Sequence, residues 1–303
     1  MSDPKKNVAQ EAASMKIHFW RQAREVAMHI VFLLCACASI AAVALICIFI
    51  FGNSFPAIRE IGLIDFLFGT VWKPSSGKFG ILPMILGSIY VTGGALILGV
   101  PVAILCSVFM ARFCPKKLHR VIQPCIELLA GIPSIVYGFF GLVVLVPFVR
   151  EVFGGPGKGY SILTASILLG MMILPTIITV AQTSIRAVPQ SYYEGALALG
   201  ASHERSVFFV VLPAARSGIL AAVILGVGRA IGETMAVIMI TGNQARMPNG
   251  ILSGVRTLTT NIVMEMGYAA DLHREALIAT AAVLFVFILI INLSFSIIKR
   301  KGA

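Results

Sequence analysis

The amino-acid sequence predicts an all-α integral membrane protein with six transmembrane helices and both termini in the cytoplasm. Hydrophobic residues make up 58% of the 303 residues, charged residues only 12%, and the mean hydropathy is +0.94. These values lie far outside the range of soluble domains. Several apolar runs exceed the roughly 20 residues that a helix needs to cross a bilayer, and the short alternating segments of a membrane β-barrel are absent from the sequence.

The six apolar runs define the order of the elements. We predict the spans at Val26–Phe51, Phe79–Ala111, Val121–Val149, Tyr160–Ile185, Ala214–Thr241 and Ala276–Ile298. The first span at 26–51 is separate from a core of five spans within residues 79–298. The connecting segments are a partly helical cytoplasmic tail at 1–25, an external loop at 52–78 with a short amphipathic helix around Phe55–Phe68, a cytoplasmic loop at 187–213 and a cytoplasmic tail at 299–303.

The basic residues set the orientation of these spans. The formal net charge is +11, from 24 Lys and Arg against 13 Asp and Glu. With the N-terminus inside, fifteen Lys and Arg fall in cytoplasmic segments and eight in external loops. This bias follows the positive-inside rule and fits an even number of spans. The positive charge therefore indicates membrane topology, and no nucleic-acid partner is expected.

The sequence offers no enzyme chemistry of its own. None of the six cysteines lies in a predicted external loop, so no disulfide framework is expected, and no metal-ligand spacing is present. The glycine-rich stretch Gly154–Gly159 fails the phosphate-loop pattern twice, at Val152 and at Gly159. We therefore expect no ATPase site, no catalytic residues and no cofactor.

The stretch from Glu194 to Pro213 has the chemistry of a docking element. Small residues leave one flank of its first helix bare, Gly200 is suited to the left-handed conformation that ends a helix, and Ser202 is placed to cap a second one. Pro213 marks the break before the fifth span. The alternative is an ordinary cytoplasmic loop that packs on its own spans.

The fifth span carries an opposite-charged pair, Arg229 and Glu233, at helical i, i+4 spacing. Charges inside a bilayer usually face the bundle interior or a water-filled path. One interpretation is a self-neutralising pair that locks the helix. The other is an anion path, in which the forked guanidinium binds a tetrahedral oxyanion and the carboxylate keeps that binding weak enough for transit.

Two further segments offer polar groups. Pro133 in the third span predicts a kink that frees a backbone carbonyl, and Ser134 and Tyr137 offer hydroxyls either to an oxyanion or, for Ser134, back to its own helix. Pro101 and Pro175 predict kinks in the second and fourth spans, with Thr176 a weaker candidate for the path. The threonines of the loop Gly242–Arg274 are expected to be solvated rather than to line an entrance.

The docking stretch resembles the EAA loop of importer-type ABC permeases. Glu194-Gly195-Ala196, three residues, Gly200, nine residues and then Val210-Val211-Leu212-Pro213 follow the family pattern, with Gly for Ala at 195 and Val for Ile at 210. The resemblance implies a type I ABC importer permease (MetI-like) fold, in which this loop forms a coupling helix seated on an ATP-binding subunit. The residues it implies for that contact are Glu194, Gly195, Ala196, Gly200, His203, Arg205, Leu212 and Pro213.

The fifth and third spans resemble the C-type permease subunits of phosphate-specific transport (Pst) systems. The matching segments are Gly228–Val237, followed by Thr241-Gly242-Asn243, and Glu127–Gly138. The likeness covers the chain from about Gly80 to Ile298. It implies Arg229 and Glu233 as charged residues of the translocation path, with Thr234, Ser134 and Tyr137 beside them.

That resemblance also implies the partners and the location. They are a homologous permease subunit (PstA-type), two ATP-binding subunits (PstB-type), an external phosphate-binding protein (PstS-type), phosphate as the cargo, and the bacterial inner membrane with its lipid bilayer. The alternatives are a permease for another oxyanion such as molybdate or sulfate, and a secondary anion transporter or channel.

Overall fold

The protein consists of α-helices and one short β-hairpin. The structure, a computed structural model, describes residues 4–154 and 158–301. Residues 155–157 of the glycine-rich stretch Gly154–Gly159 therefore lie outside the described residues. The chain divides into two compact units, residues 1–52 and residues 53–303. The first unit is the greater part of one long helix, and the second contains the helical bundle.

The helices and strands have the following bounds. The N-terminal third contains α1 Pro4–Ile61, α2 Leu63–Phe68, β1 Trp72–Lys73, β2 Lys78–Phe79 and α3 Leu82–Val108. The middle contains α4 Lys116–Gly131, α5 Ser134–Phe140, α6 Val146–Phe153, α7 Ile162–Arg186 and α8 Gln190–Ala198. The C-terminal part contains α9 His203–Ser206, α10 Leu212–Ala214, α11 Arg216–Gly232, α12 Met235–Ile240, α13 Leu258–Glu265 and α14 Asp271–Lys301. Single π-helical turns at residues 109–113, 141–145 and 207–211 continue α3, α5 and α9.

The core of the bundle is built on α7. This helix packs against both α3 and α11. Its buried side chains include Leu168, Ile173 and Ile177, while small residues such as Ala95 of α3 let the helices approach closely. Pro101 and Pro175 lie inside α3 and α7 without ending them, because neighbouring helices tolerate such prolines in membrane proteins.

The number of apolar helices agrees with the predicted six spans. Within the described residues, five helices are long and apolar enough to cross a membrane: 24–61, 82–113, 134–153, 162–186 and 271–294. A sixth arises if His203–Ala214 and Arg216–Gly232, which meet at an angle of 69°, count as one span. The all-α fold class is therefore confirmed, whereas the cytoplasmic position of both termini stays a prediction.

The boundaries of the third and fifth spans differ from the prediction. The segment Val121–Val149 is not one kinked helix, because α4 is a separate amphipathic helix and the apolar helix begins only at Ser134. The segment Ala214–Thr241 is interrupted after Gly232, where the chain turns extended before α12. In the fifth span apolar residues lie on both sides of the interruption, so hydropathy alone does not reveal it.

The predicted external loop is more ordered than expected. Helix α1 continues as far as Ile61, so the expected helix at 55–68 is the end of α1 followed by α2. Trp72 is buried with Phe66 and Phe79 in a second apolar cluster beside residues 276–279 of α14. The hairpin therefore closes over one end of the bundle within the second unit.

Candidate functional site

Two broken helices lie side by side and form the centre of the candidate site. Helix α4 ends at Gly131 and α5 begins at Ser134, while α11 ends at Gly232 and α12 begins at Met235. The helices that follow the two breaks, α5 and α12, pack against each other. A Cβ on Gly138 would lie 2.9 Å from the Ala236 Cα, so this approach requires glycine.

The first break is built around Pro133. Proline lacks an N–H and so leaves the carbonyl of the residue four positions earlier without its helical partner. That residue is Leu129, and the Tyr137 hydroxyl donates to its oxygen at 2.9 Å. Tyr137 lies after the break and thus bonds the carbonyl that the break frees before it. Ser134 is half-buried, and no hydrogen bond of its hydroxyl is found among the described residues.

The second break places Glu233 outside any helix. Glu233 has an extended backbone, and its Oε1 accepts hydrogen bonds from the backbone N–H groups of Thr234 at 3.1 Å and Ala236 at 3.2 Å. The carboxylate therefore caps the start of α12. The Thr234 hydroxyl donates back to the Gly232 carbonyl at 3.2 Å. These two side chains bond three backbone groups that the break would otherwise leave unpaired.

The expected i, i+4 pairing of Arg229 with Glu233 is wrong. Helix α11 ends between them, so the two side chains no longer share one helical face. Within the described residues no ion pair joins them, and the Arg229 Nη1 instead donates to the Thr176 Oγ1 of α7 at 3.0 Å. The half-buried guanidinium is therefore held by a neutral hydroxyl of α7.

The loop after α12 folds back into the bundle, contrary to the expectation that its threonines are solvated. Thr257 and Thr260 cap α13 reciprocally, and the Thr259 hydroxyl donates to the Glu233 carbonyl at 3.3 Å. Thr260 and Asn261 have no exposed surface. The sequence contained a signal for this helix start, since two threonines three residues apart resemble a capping box, but its burial had no local signal.

A buried polar cluster anchors α13 to the hairpin. Glu265 pairs with Arg256 at 2.5 Å, and it also accepts from Trp72 Nε1 at 2.9 Å and lies 2.8 Å from His273 Nε2. Burial by itself raises the pKa of the Glu265 carboxyl, but the bonds from Trp72, His273 and Arg256 outweigh it and hold the pKa below its usual 4.5. This cluster is a structural anchor that sequence reasoning missed.

The predicted docking loop has the local structure that its residues indicate. Helix α8 ends in a Schellman motif, in which Gly200 is left-handed at φ 83° and the N–H groups of Gly200 and Ala201 bond the carbonyls of Leu197 and Ala196. The Ser202 hydroxyl caps α9 by accepting from the Arg205 N–H at 3.3 Å. Hydrogen bonds from its own N–H and from Ser202 hold the pKa of Glu204 below its usual range.

Most of this loop faces outward. Glu194, Gly195, Gly200, Arg205 and Pro213 are exposed, whereas Ala196 and Leu212 are half-buried. Three large apolar side chains share this exposed surface, with exposed fractions of 53% for Tyr192, 39% for Leu197 and 91% for Leu199. Exposed apolar groups gathered on one helix and its cap are typical of a protein–protein contact.

His203 is turned inward rather than toward solvent. Its Nδ1 lies 2.7 Å from the Tyr193 hydroxyl, and its ring packs edge-on against Phe113 with the ring centres 4.6 Å apart. His203 therefore joins α8 and α9 to the end of α3. The loop residues lie on and between α8, α9 and α10, whereas the predicted path residues lie on α5, on α11 and in the break before α12.

Comparison with known proteins supports this description. Residues 103–301 match the family model of the binding-protein-dependent transport system inner membrane component. The probable ABC transporter permease protein YqgH of Bacillus subtilis is 38% identical, covering 90% of this chain and 91% of its own length. The phosphate transport system permease protein PstC of Mesorhizobium japonicum is 34% identical, covering 81% of each chain.

A solved structure shows the same fold. The MetNI methionine ABC transporter, in inward-facing conformations, superposes with a TM-score of 0.58 at 18% identity and covers 77% of this chain and all of the matched one. The similarity of the fold agrees with the type I ABC importer permease architecture. The chain therefore belongs to the family of binding-protein-dependent transport system inner membrane components, as a multi-pass permease component of ABC importers.

Proposed function

We propose that this chain is a permease subunit of an ATP-driven phosphate importer in a bacterial inner membrane. It forms the translocation path together with a homologous PstA-type permease. Two PstB-type ATP-binding subunits dock on one side, and a PstS-type binding protein delivers phosphate on the other. The phosphate assignment is supported by relatives such as the Mesorhizobium japonicum PstC, which carries that function in its name.

The observation that carries the proposal is the environment of Arg229. Its guanidinium is half-buried in an apolar bundle and bonded to the neutral hydroxyl of Thr176, while Glu233 is engaged with backbone N–H groups. A permanent charge in this position attracts an anion, and arginine presents paired donors that match a tetrahedral oxyanion. The neutral Thr176 hydroxyl can give way to phosphate and can later take its place again. Such a site binds its cargo weakly enough to release it.

The exposed α8 surface supports the coupling part of the proposal. An ATP-binding subunit needs a protruding, rigid element with a bare backbone to hold. Helix α8 meets these needs through its exposed Gly195, its exposed apolar side chains and its Schellman turn at Gly200. Nucleotide-driven movement of the ATP-binding subunits would then displace α8 and change access to the Arg229 region.

The decisive experiment is ATP hydrolysis by the purified complex in proteoliposomes, with the binding protein present. Phosphate should stimulate hydrolysis and should be taken up in proportion to it. Uptake that continues without ATP would instead identify a secondary transporter. Competition by sulfate or molybdate stronger than that by phosphate would identify another oxyanion as the cargo.

A further inference from the structure

Helix α4 is attached to the rest of the bundle mainly through polar contacts at its start. Most of its side chains are exposed, and its one buried residue is Ile126. The attachment is His119, whose Nε2 lies 2.6 Å from the Arg186 Nη2 and 3.2 Å from the Gln182 Nε2. Since both partners are donors, this nitrogen is the unprotonated acceptor of the ring.

The partners of His119 belong to the end of α7 that leads into α8. Arg186 is the last residue of α7 and also donates to the Met110 carbonyl at 3.0 Å. Beside it, Arg112 donates to the Ile185 carbonyl at 3.0 Å and to the side chain of Gln190, the first residue of α8, at 3.2 Å. The start of α8 is therefore held by Arg112 and the start of α4 by Arg186, and each arginine also donates to the backbone beside the other.

The other end of α4 reaches the first break. A helix of 16 residues is a stiff rod about 24 Å long, at 1.5 Å per residue. The carbonyl of Leu129 near its end accepts from Tyr137 of α5, and α5 packs against α12, the helix that follows the second break. A series of contacts thus leads from α8 through α4 to the two breaks.

We propose that His119 is a positioning residue through which α4 transmits the movement of α8 to the region of Tyr137 and Arg229. This inference rests on the proposed function, because it assumes that an ATP-binding subunit moves α8. Gln182 supports the contact: it is only 5% exposed, and its Nε2 also reaches the Gln123 side chain of α4 at 3.4 Å. Arg186 would transmit the movement of α8 to α4, because it donates a hydrogen bond to the Nε2 of His119.

The test compares two substitutions at His119 in the whole complex, reconstituted with its ATP-binding subunits and binding protein. His119→Leu removes the acceptor, whereas His119→Gln keeps an acceptor oxygen near the position of Nε2. The measured quantity is phosphate transported per ATP hydrolysed. We expect this ratio to fall by at least roughly tenfold in the Leu variant, as for loss of a hydrogen bond to a charged group, and to stay within about twofold in the Gln variant.

Arg120→Gln is the matched control, because Arg120 is the next residue of α4 and is exposed. It should leave the ratio unchanged. If the His119→Leu complex fails to assemble, Gln182→Met provides the measurement, because it removes the other donor at similar volume and should lower the same ratio. An assembled Leu variant with the parental ratio overturns the proposal, as does a Gln variant as uncoupled as Leu.

These outcomes are separate from a failure of the proposed function. If the parent complex shows no phosphate-stimulated hydrolysis, the phosphate importer itself is rejected before any variant is compared. If the parent couples normally and the His119 variants do as well, only the role of α4 is rejected. A double-mutant cycle between His119→Leu and Tyr137→Phe adds a second measure, because effects carried along one route should not be additive.

Discussion

Both breaks in the bundle interrupt a helix and free backbone groups, but the groups are freed and bonded in different ways. At the first, Pro133 removes a donor, and the freed Leu129 carbonyl is bonded by Tyr137, only eight residues away. At the second, no proline is present, and the freed groups are bonded by the Glu233 side chain and by Thr259, 26 residues away. The first break is thus local in origin, whereas the second depends on a distant loop.

This difference predicts that the second break is the more easily disturbed and the more closely tied to function. Arg229 lies in the last turn of α11, directly before it, and its Thr176 partner is 53 residues away in the chain. A break held by distant groups can change when those groups move. A break imposed by proline remains in any conformation.

The largest effect on transport is expected for the Arg229→Gln variant. Losing the charge before the second break should reduce phosphate uptake by at least roughly tenfold, as for loss of a charge-assisted contact, while the complex still assembles. The assay is phosphate uptake into proteoliposomes. Arg216→Gln, at the exposed start of the same helix, is the control and should transport normally. Full uptake by the Arg229 variant would remove this residue from the path.

The next largest effect is on Glu265→Gln, which tests how α13 supports the second break. Leaving Arg256 buried without its partner should destabilise the protein by about 3 kcal/mol, seen as a lower thermal midpoint in detergent at pH 7. Because the pKa of Glu265 is lowered in the folded protein, its stabilising effect is present above its usual pKa of 4.5 and is lost as the pH falls through the folded value.

The parent and the Glu265→Gln variant should therefore converge in stability as the pH falls below the usual pKa of 4.5. Glu275→Gln provides a control on the neighbouring helix α14. A difference that stays constant across this pH range would show that Glu265 contributes through shape rather than through charge.

A smaller effect is expected for Tyr137→Phe at the first break. Removing the hydroxyl leaves the Leu129 carbonyl without its bond, which should lower stability by about 1–2 kcal/mol. Thermal unfolding followed by circular dichroism provides the measurement. Phe139→Leu, on an exposed position of the same helix, should change the midpoint far less. Equal midpoints for Tyr137→Phe and the parent would mean that water replaces the phenol.

The smallest effect on stability is expected for Thr259→Val at the second break. Its bond to the Glu233 carbonyl, at 3.3 Å, is longer than the 2.9 Å bond of Tyr137, so its loss should cost under about 1 kcal/mol. Transport should nevertheless fall more than in Tyr137→Phe if the second break is the functional one. Thr259→Ser, which keeps the hydroxyl, should transport like the parent. The reverse order of transport defects would contradict the comparison.

Sequence reasoning predicted the parts that short stretches of chain decide. The left-handed turn at Gly200, the cap at Ser202 and the interruption at Pro133 follow from residues within one turn of each site. The same reasoning placed Arg229 and Glu233 on one helix face because it assumed an unbroken helix. It also predicted that the loop threonines are exposed to solvent, because nothing nearby in sequence shows that the segment 257–265 is buried.

The sequence by itself determined that this is a helical membrane protein with about six apolar spans and a capped helical loop between the fourth and fifth. Hydropathy and helix ends are properties of neighbouring residues, so they can be read along the chain. Only the tertiary structure decided where the fifth span breaks, which hydroxyl holds Arg229 and which residues of α7 contact α4. The physical reason is that a broken helix persists only where its freed backbone groups find partners, and the Thr259 and Thr176 hydroxyls come from distant parts of the chain.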